Sequence, residues 1–248
     1  MITMVLFVDI GNTTVKWATD KELGGDVIHQ TAVGDPLSAM LSIWERMDSP
    51  LEIHISSVLR DTRTAEICEW ISYHWQVSPV LAETKAADMG VTNGYSEPGQ
   101  LGVDRWLALL AARSLFKTPS VVVDCGSATT LDGIDSAGRH LGGVILPGLH
   151  LFQRCLVANT DIPAFEDSGT IDYFATDTAS GISSGAMLAT ASSVERMVEM
   201  LRKRSGEPVD CLLTGGGSQL LARHLNVNHC LVPNLVLQGL ALLAGRKD

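Results

Sequence analysis

Leu6-Phe7-Val8-Asp9-Ile10-Gly11-Asn12-Thr13-Thr14 and Val121-Val122-Val123-Asp124-Cys125-Gly126-Ser127-Ala128-Thr129-Thr130 are one phrase written twice. In each, an apolar run ends in Asp, followed by one spacer, a Gly and a series of hydroxyl or amide side chains. Such a run predicts a buried strand that delivers a carboxylate to a tight turn whose backbone amides suit phosphate oxygens. A third segment, Leu212-Leu213-Thr214-Gly215-Gly216-Gly217-Ser218, again follows an apolar run with glycines that let backbone approach a ligand closely. Together the three imply a nucleotide held between two related halves, with residues 214–217 as the shelf for adenine and ribose.

The repeat extends past the turns. Alternating Val15 and Trp17 predict a strand after the first turn, followed by a Gly24-Gly25 turn, a strand near residues 27–33 and a helix opening at Asp35-Pro36-Leu37. After the second turn come a strand over 129–134, a Ser136-Ala137-Gly138 turn, a strand near 141–146 and a helix opening at Pro147-Gly148-Leu149. Both helices thus begin with Pro in the first turn, where its missing N–H costs nothing. The reading is an α/β protein of two duplicated β-β-β-α-β-α domains, residues 1–115 and 116–248, joined by the almost wholly apolar helix 106–116. Leu37, Met40, Leu41 and Trp44 fall on one helical face, Leu51, Ile53 and Ile55 alternate as a strand, and 62–75 reads as a further helix. Residues 82–99 and 159–175 lack periodicity, and a long helix is predicted over 182–204, stopped by Gly206 and Pro208.

A chain of 248 residues with 46% hydrophobic content supports a substantial core. Its net charge of −10 excludes a phosphate-backbone partner, because nucleic-acid binding needs a basic stripe. No signal peptide or membrane span is readable, so a cytoplasmic protein without membrane association is expected. The five cysteines, at 68, 125, 155, 211 and 230, read as small buried thiols rather than disulfides or a zinc site, and the seven histidines lack metal spacing.

Asp9 could simply cap turn amides; the functional reading has it holding a hydrated Mg²⁺ against phosphates contacted by Gly11 to Thr14, and the repeat favours the latter. Lys16, on the outgoing strand, either reaches the phosphates or faces water. Asp124, Gly126 and Ser127 form a second phosphate turn or a cation site. Asp104 at a helix start satisfies the helix dipole, yet with Arg105 beside it the pair also offers a base for a substrate hydroxyl and a fork for a substrate anion. Gly181-Ile182-Ser183-Ser184-Gly185 matches the serine-hydrolase pattern by accident, since no strand leads into it. No G-x-x-x-x-G-K-[ST] loop and no placed G-x-G-x-x-G is present.

From Val8 to Leu240 the order and spacing of these motifs resemble the type III pantothenate kinases, within the acetate and sugar kinase/Hsp70/actin superfamily. The residues carrying the resemblance are Asp9 to Lys16, Tyr95-Ser96-Glu97-Pro98, Leu101-Gly102-Val103-Asp104-Arg105, Asp124 to Thr130, Gly142-Gly143-Val144-Ile145-Leu146-Pro147-Gly148, Thr178, Thr214-Gly215-Gly216 and Leu235-Val236-Leu237-Gln238-Gly239-Leu240. The resemblance implies two ribonuclease H-like domains of the actin-like ATPase type and phosphorylation of pantothenate by ATP to 4′-phosphopantothenate, the first step of coenzyme A synthesis. It implies ATP binding by Asp9, Ile10, Gly11, Asn12, Thr13, Thr14, Val15, Lys16 and Ser127, beside the Gly215 and Gly216 shelf. Asp104 would be the catalytic base, with Tyr95, Gly102, Val103, Asp104, Arg105 and Thr178 forming the pantothenate pocket and Arg105 facing its carboxylate. Asp124 would bind K⁺ or NH₄⁺, Asp9 would hold Mg²⁺ through water, and a homodimer would complete the site. Ser127 stands where the family pattern has Thr, which keeps the hydroxyl and loses a methyl group. Other readings are a related kinase with another hydroxyl acid or sugar as acceptor, and a nucleotide-binding regulatory protein of the same family.

Overall fold

The computed structural model describes residues 4–23, 29–32, 37–59, 62–165 and 170–245. The Gly24-Gly25 turn, the ends of the strand expected near 27–33 and the Asp35-Pro36 helix opening lie outside them. In chain order the elements are β1 (Val5–Ile10), β2 (Thr14–Thr19), β3 (His29–Ala32), α1 (Leu37–Trp44), β4 (Glu52–Ser57), α2 (Thr62–His74), β5 (Val80–Leu81), β6 (Ala87–Asp88), β7 (Val91–Thr92) and α3 (Val103–Leu115). They continue as β8 (Ser120–Cys125), β9 (Ala128–Ile134), β10 (His140–Pro147), α4 (Leu149–Asn159), α5 (Thr178–Ser205), β11 (Asp210–Thr214), α6 (Ser218–Ala222), β12 (Cys230–Leu231) and α7 (Leu235–Leu243).

Two five-stranded sheets carry the same topology, β3-β2-β1-β4-β5 and β10-β9-β8-β11-β12. In each, the first strand runs antiparallel to the second and parallel to the fourth. The duplicated β-β-β-α-β-α unit is therefore real at the level of hydrogen-bonded strand order. Asp9 lies opposite Lys16 and Ser56, and Asp124 occupies the matching place opposite Thr130 and Thr214. One difference is visible in the turns: Ile10 pairs with Val15, whereas Cys125 pairs with Thr129, so the second turn is a residue shorter.

In the first unit, Leu6, Val8 and Ile10 alternate onto the face covered by α1 and α2, burying Met40, Trp44, Ile67 and Ile71. Trp17, Trp44, Trp70 and Trp75 pack on one another there, with Trp44 edge-on to Trp17 at 5.9 Å and stacked on Trp75 at 5.4 Å. In the second unit, Val121, Val123 and Cys125 meet α5 through Met187, Ala191, Val194 and Val198. That helix begins four residues before the expected start, because the Asp177 carboxylate accepts the Ser180 N–H at 2.9 Å and caps it. It ends at Gly206, whose φ of 69° places it in the left-handed region.

The division of the chain differs from the expected cut at 115/116. The two compact units are Met1–Ser114 with Asn234–Asp248, and Leu115–Pro233. Helix α7 packs on β1 and β4 of the first unit, burying Leu235, Leu237 and Leu240. Its close seat is made by Gly239, where a Cβ would collide with the Leu107 carbonyl oxygen and lie 2.6 Å from the carbonyl carbon of α3. Gly239→Ala is accordingly expected to destabilise the protein by about 1–3 kcal/mol through overpacking, read as a lowered melting temperature. An unchanged melting temperature would show that the two helices separate without cost.

The cysteine expectation holds in part. Cys125 and Cys211 are buried, but Cys155 and Cys230 are exposed because α4 and the short edge strand β12 present them outward. All five are free thiols.

Candidate active site

The first Asp-x-Gly turn is closed by the Gly11 N–H donating to the Thr14 carbonyl at 2.9 Å. Asn12 and Thr13 project into solvent at its tip, while Asp9 is half-buried with its Oδ1 shielded from solvent. Because β1 and β2 are antiparallel and Asp9 pairs with Lys16, both side chains stand on one face of the sheet. A carboxylate, a lysine and the exposed tip of an amide-bearing turn are thus delivered to one end of the first unit's sheet.

The second turn is closed in the same way, Gly126 N–H to the Ala128 carbonyl at 3.1 Å, with Ser127 exposed at its tip. Two further segments press against it. The Gly148 N–H donates to the Ser127 carbonyl at 3.0 Å, and a Cβ on Gly148 would lie 2.6 Å from that oxygen. Gly215, at φ +87°, sits so close to the turn that a Cβ would collide with Asp124 Oδ1 and lie 2.7 Å from both Cys125 N and C. The Gly217 N–H completes the arrangement by donating to the Cys125 carbonyl at 3.0 Å. A Cβ added to Gly216 would meet nothing within 4 Å. The structure therefore brings Asp124, Ser127, Gly215 and Gly216 together within the second unit. Burial, with the Asp124 carboxylate and Cys211 adding to it, pushes the Cys125 thiol up to about 12. That thiol stays neutral and serves as packing beneath the turn.

In the first unit the irregular stretch expected over 82–99 contains the small β6–β7 hairpin and a 3₁₀ turn, Pro98–Gln100. Its organiser is Asn93, 9% exposed, which sequence reading passed over as a loop residue. The Asn93 side-chain amide donates to the Lys85 and Pro98 carbonyls at 3.2 Å, and its Oδ1 accepts the Tyr95 N–H at 3.0 Å. Tyr95 is thereby held where its hydroxyl accepts from Arg105 Nη1 at 2.8 Å, with the guanidinium 5.6 Å from its ring centroid. The Arg105 side chain is largely buried, at 7% exposure, on the first turn of α3.

Asp104, half-buried beside it, accepts the Arg105 N–H on Oδ1 at 2.8 Å and folds back over Gly102. A Cβ at Gly102 would lie 2.5 Å from that oxygen, so the glycine makes room for the carboxylate. Gly102, Val103, Asp104, Arg105 and Tyr95 form one cluster. Thr178 belongs to the other unit, exposed as the first residue of α5. Among the described residues no group of three or more His, Cys, Asp or Glu is arranged to hold a metal.

These sheets and turns define the class: the fold is that of the actin-like ATPases and sugar kinases. A Listeria monocytogenes protein described as an N-acetylmannosamine kinase superposes with a TM-score of 0.52 at 13% identity, covering 98% of this chain and 100% of that one. A Campylobacter jejuni protein described as a Baf family transcriptional activator gives 0.62 at 19% identity, covering 97% of each chain. Residues 5–200 match the family described as Type III pantothenate kinase. The Type III pantothenate kinase of Nitrosospira multiformis is 37% identical over 244 residues, covering 98% of this chain and 92% of that protein. The chain belongs to the type III pantothenate kinase family.

Proposed function

We propose that this enzyme transfers the γ-phosphoryl group of ATP to the primary hydroxyl of pantothenate, yielding 4′-phosphopantothenate and ADP, the first step of coenzyme A synthesis. Family membership over almost the whole chain supports it. The observation that carries the assignment of roles is the Asp104–Arg105–Tyr95 cluster: a carboxylate oriented by a backbone N–H beside a buried guanidinium braced by a phenol.

Phosphoryl transfer asks a protein chiefly to align the acceptor oxygen and to offset charge on the phosphates. Asp104 accepts the proton of the pantothenate hydroxyl as its oxygen attacks. Arg105 pairs with the pantothenate carboxylate, with Tyr95, Gly102 and Val103 shaping the pocket and Thr178 adding a hydroxyl. Residues Asp9 to Lys16 and Ser127 contact the ATP phosphates, and Gly215 and Gly216 lie under adenine and ribose. The donor chemistry fits the expected ions, since Asp9 is a hard oxygen ligand suited to Mg²⁺ through water. Asp124, with the Thr130 and Thr214 hydroxyl positions opposite it, suits K⁺ or NH₄⁺. Bound Mg²⁺ would neutralise phosphate charge.

A homodimer is part of this proposal. Val144 and Ile145, 48% and 61% exposed on the edge strand β10, and Leu151 of α4 leave apolar side chains at the surface of the second unit, of the kind that protein interfaces cover. Among the described residues no helix is long and apolar enough to cross a membrane.

The test is a coupled ADP-release assay over pantothenate, acetate, glycerol and hexoses, run with and without K⁺. ADP should form with pantothenate alone, and faster with K⁺. Release with another acceptor, or with none of them, would remove the proposal.

A further inference from the structure

A histidine and a carboxylate are buried away from both turns. His140 Nε2 and Asp132 Oδ1 lie 2.8 Å apart, and their side chains are 0% and 3% exposed. Desolvating both groups is costly, and the fold goes to some trouble to bring them together. Pairing of Gly143 with Asp132 puts odd-numbered β10 residues on the Asp132 face, which would leave His140 on the other side. A β-bulge between His140 and Gly142 reverses that parity: His140 pairs with Ile134 and joins the Asp132 face. Gly142 adopts φ +99° to make the bulge, and Leu141 turns into the core beside α5.

The face so reached is the one that carries Asp124. Asp124 pairs directly with Thr130, and Asp132 is the next residue of β9 on that face, opposite Val122. One row thus holds Asp124 between Thr130 and Thr214, and the adjoining row ends in the Asp132–His140 bond. We propose that Asp132 and His140 are positioning residues, which lock β9 to the bulged strand so that Thr130 and Asp124 keep the geometry needed for the monovalent cation and ATP. This deepens the reading above and rests on its assignment of Asp124 to the cation.

The test compares wild type with His140→Ala, His140→Leu and His140→Gln, the last able to donate an amide N–H to Asp132. The readouts are the K⁺ concentration giving half-maximal activation, the KM for ATP, the KM for pantothenate and the K⁺-dependent rise in melting temperature without substrate. Outer-shell partners of cation sites typically change affinity by about 10- to 100-fold, and shifts of that order are expected in the K⁺ and ATP constants of the Ala and Leu variants. The pantothenate KM should stay unchanged, and Gln should restore most of the loss. Equal shifts in all three constants, a lowered melting temperature with unaltered K⁺ response, or failure of all three variants to fold would each overturn the positioning role. A wild-type enzyme indifferent to K⁺ in both turnover and melting would instead refute the cation assignment itself.

Discussion

Asp104→Asn should leave a folded protein whose turnover falls by about 10²- to 10⁴-fold, the usual worth of a positioned general base. That range corresponds to about 3–5 kcal/mol of barrier. The fold should survive because the Asn carbonyl oxygen can still accept the Arg105 N–H that Asp104 Oδ1 accepts at 2.8 Å, and the space above Gly102 is unchanged. What is lost is the capacity to take a proton. Steady-state kinetics with saturating pantothenate and ATP, alongside circular dichroism, separate chemistry from folding. A kcat near the parent value would strip Asp104 of its role as base.

Gly215→Ala is expected to strike at binding and stability together. The position demands φ +87°, and the added methyl group would have to displace Asp124 Oδ1 and the Cys125 backbone. Overpacking and backbone strain should cost about 1–3 kcal/mol of stability. Pushing the Asp124 carboxylate off its seat should weaken the cation and ATP constants by about 10- to 100-fold, as misplacing support around an ion does. Thermal melting and ATP titration measure the two effects. Wild-type ATP affinity in a variant that melts lower would detach Asp124 from nucleotide binding. For the stability effect alone, Gly216→Ala is the control, because no atom lies within 4 Å of the Cβ it would add.

Much of this was legible in the residues. Asp9 and Asp124 were recognisable because strand hydrophobicity, a glycine and hydroxyl side chains occur in one contiguous stretch, and the matching sheet topologies follow from that repeat. The brace on Arg105 was less accessible. Tyr95 is ten residues away, and only the buried Asn93 amide, tying the loop at both ends, brings its hydroxyl to the guanidinium. Gly148 read as a helix opening, which it is, but its pressure on Ser127 depends on where β10 ends relative to β8. The place of Leu235–Leu243 was hidden for a related reason: it is apolar enough for either sheet, and contiguity in sequence favours the second, whereas it packs with the first. The steric demand of Gly239 against Leu107 is what fits it to the first unit, and no periodicity encodes that. The bulge at His140 was likewise hidden, since Gly142-Gly143 reads as part of the strand.

The tryptophan cluster has a practical consequence. All five indoles, Trp17, Trp44, Trp70, Trp75 and Trp106, lie in Met1–Ser114, and Leu115–Pro233 contains none. Indole emission, excited selectively over tyrosine, is therefore a dye-free optical signal from one lobe alone, and a denaturation trace followed that way is silent about the opening of the other.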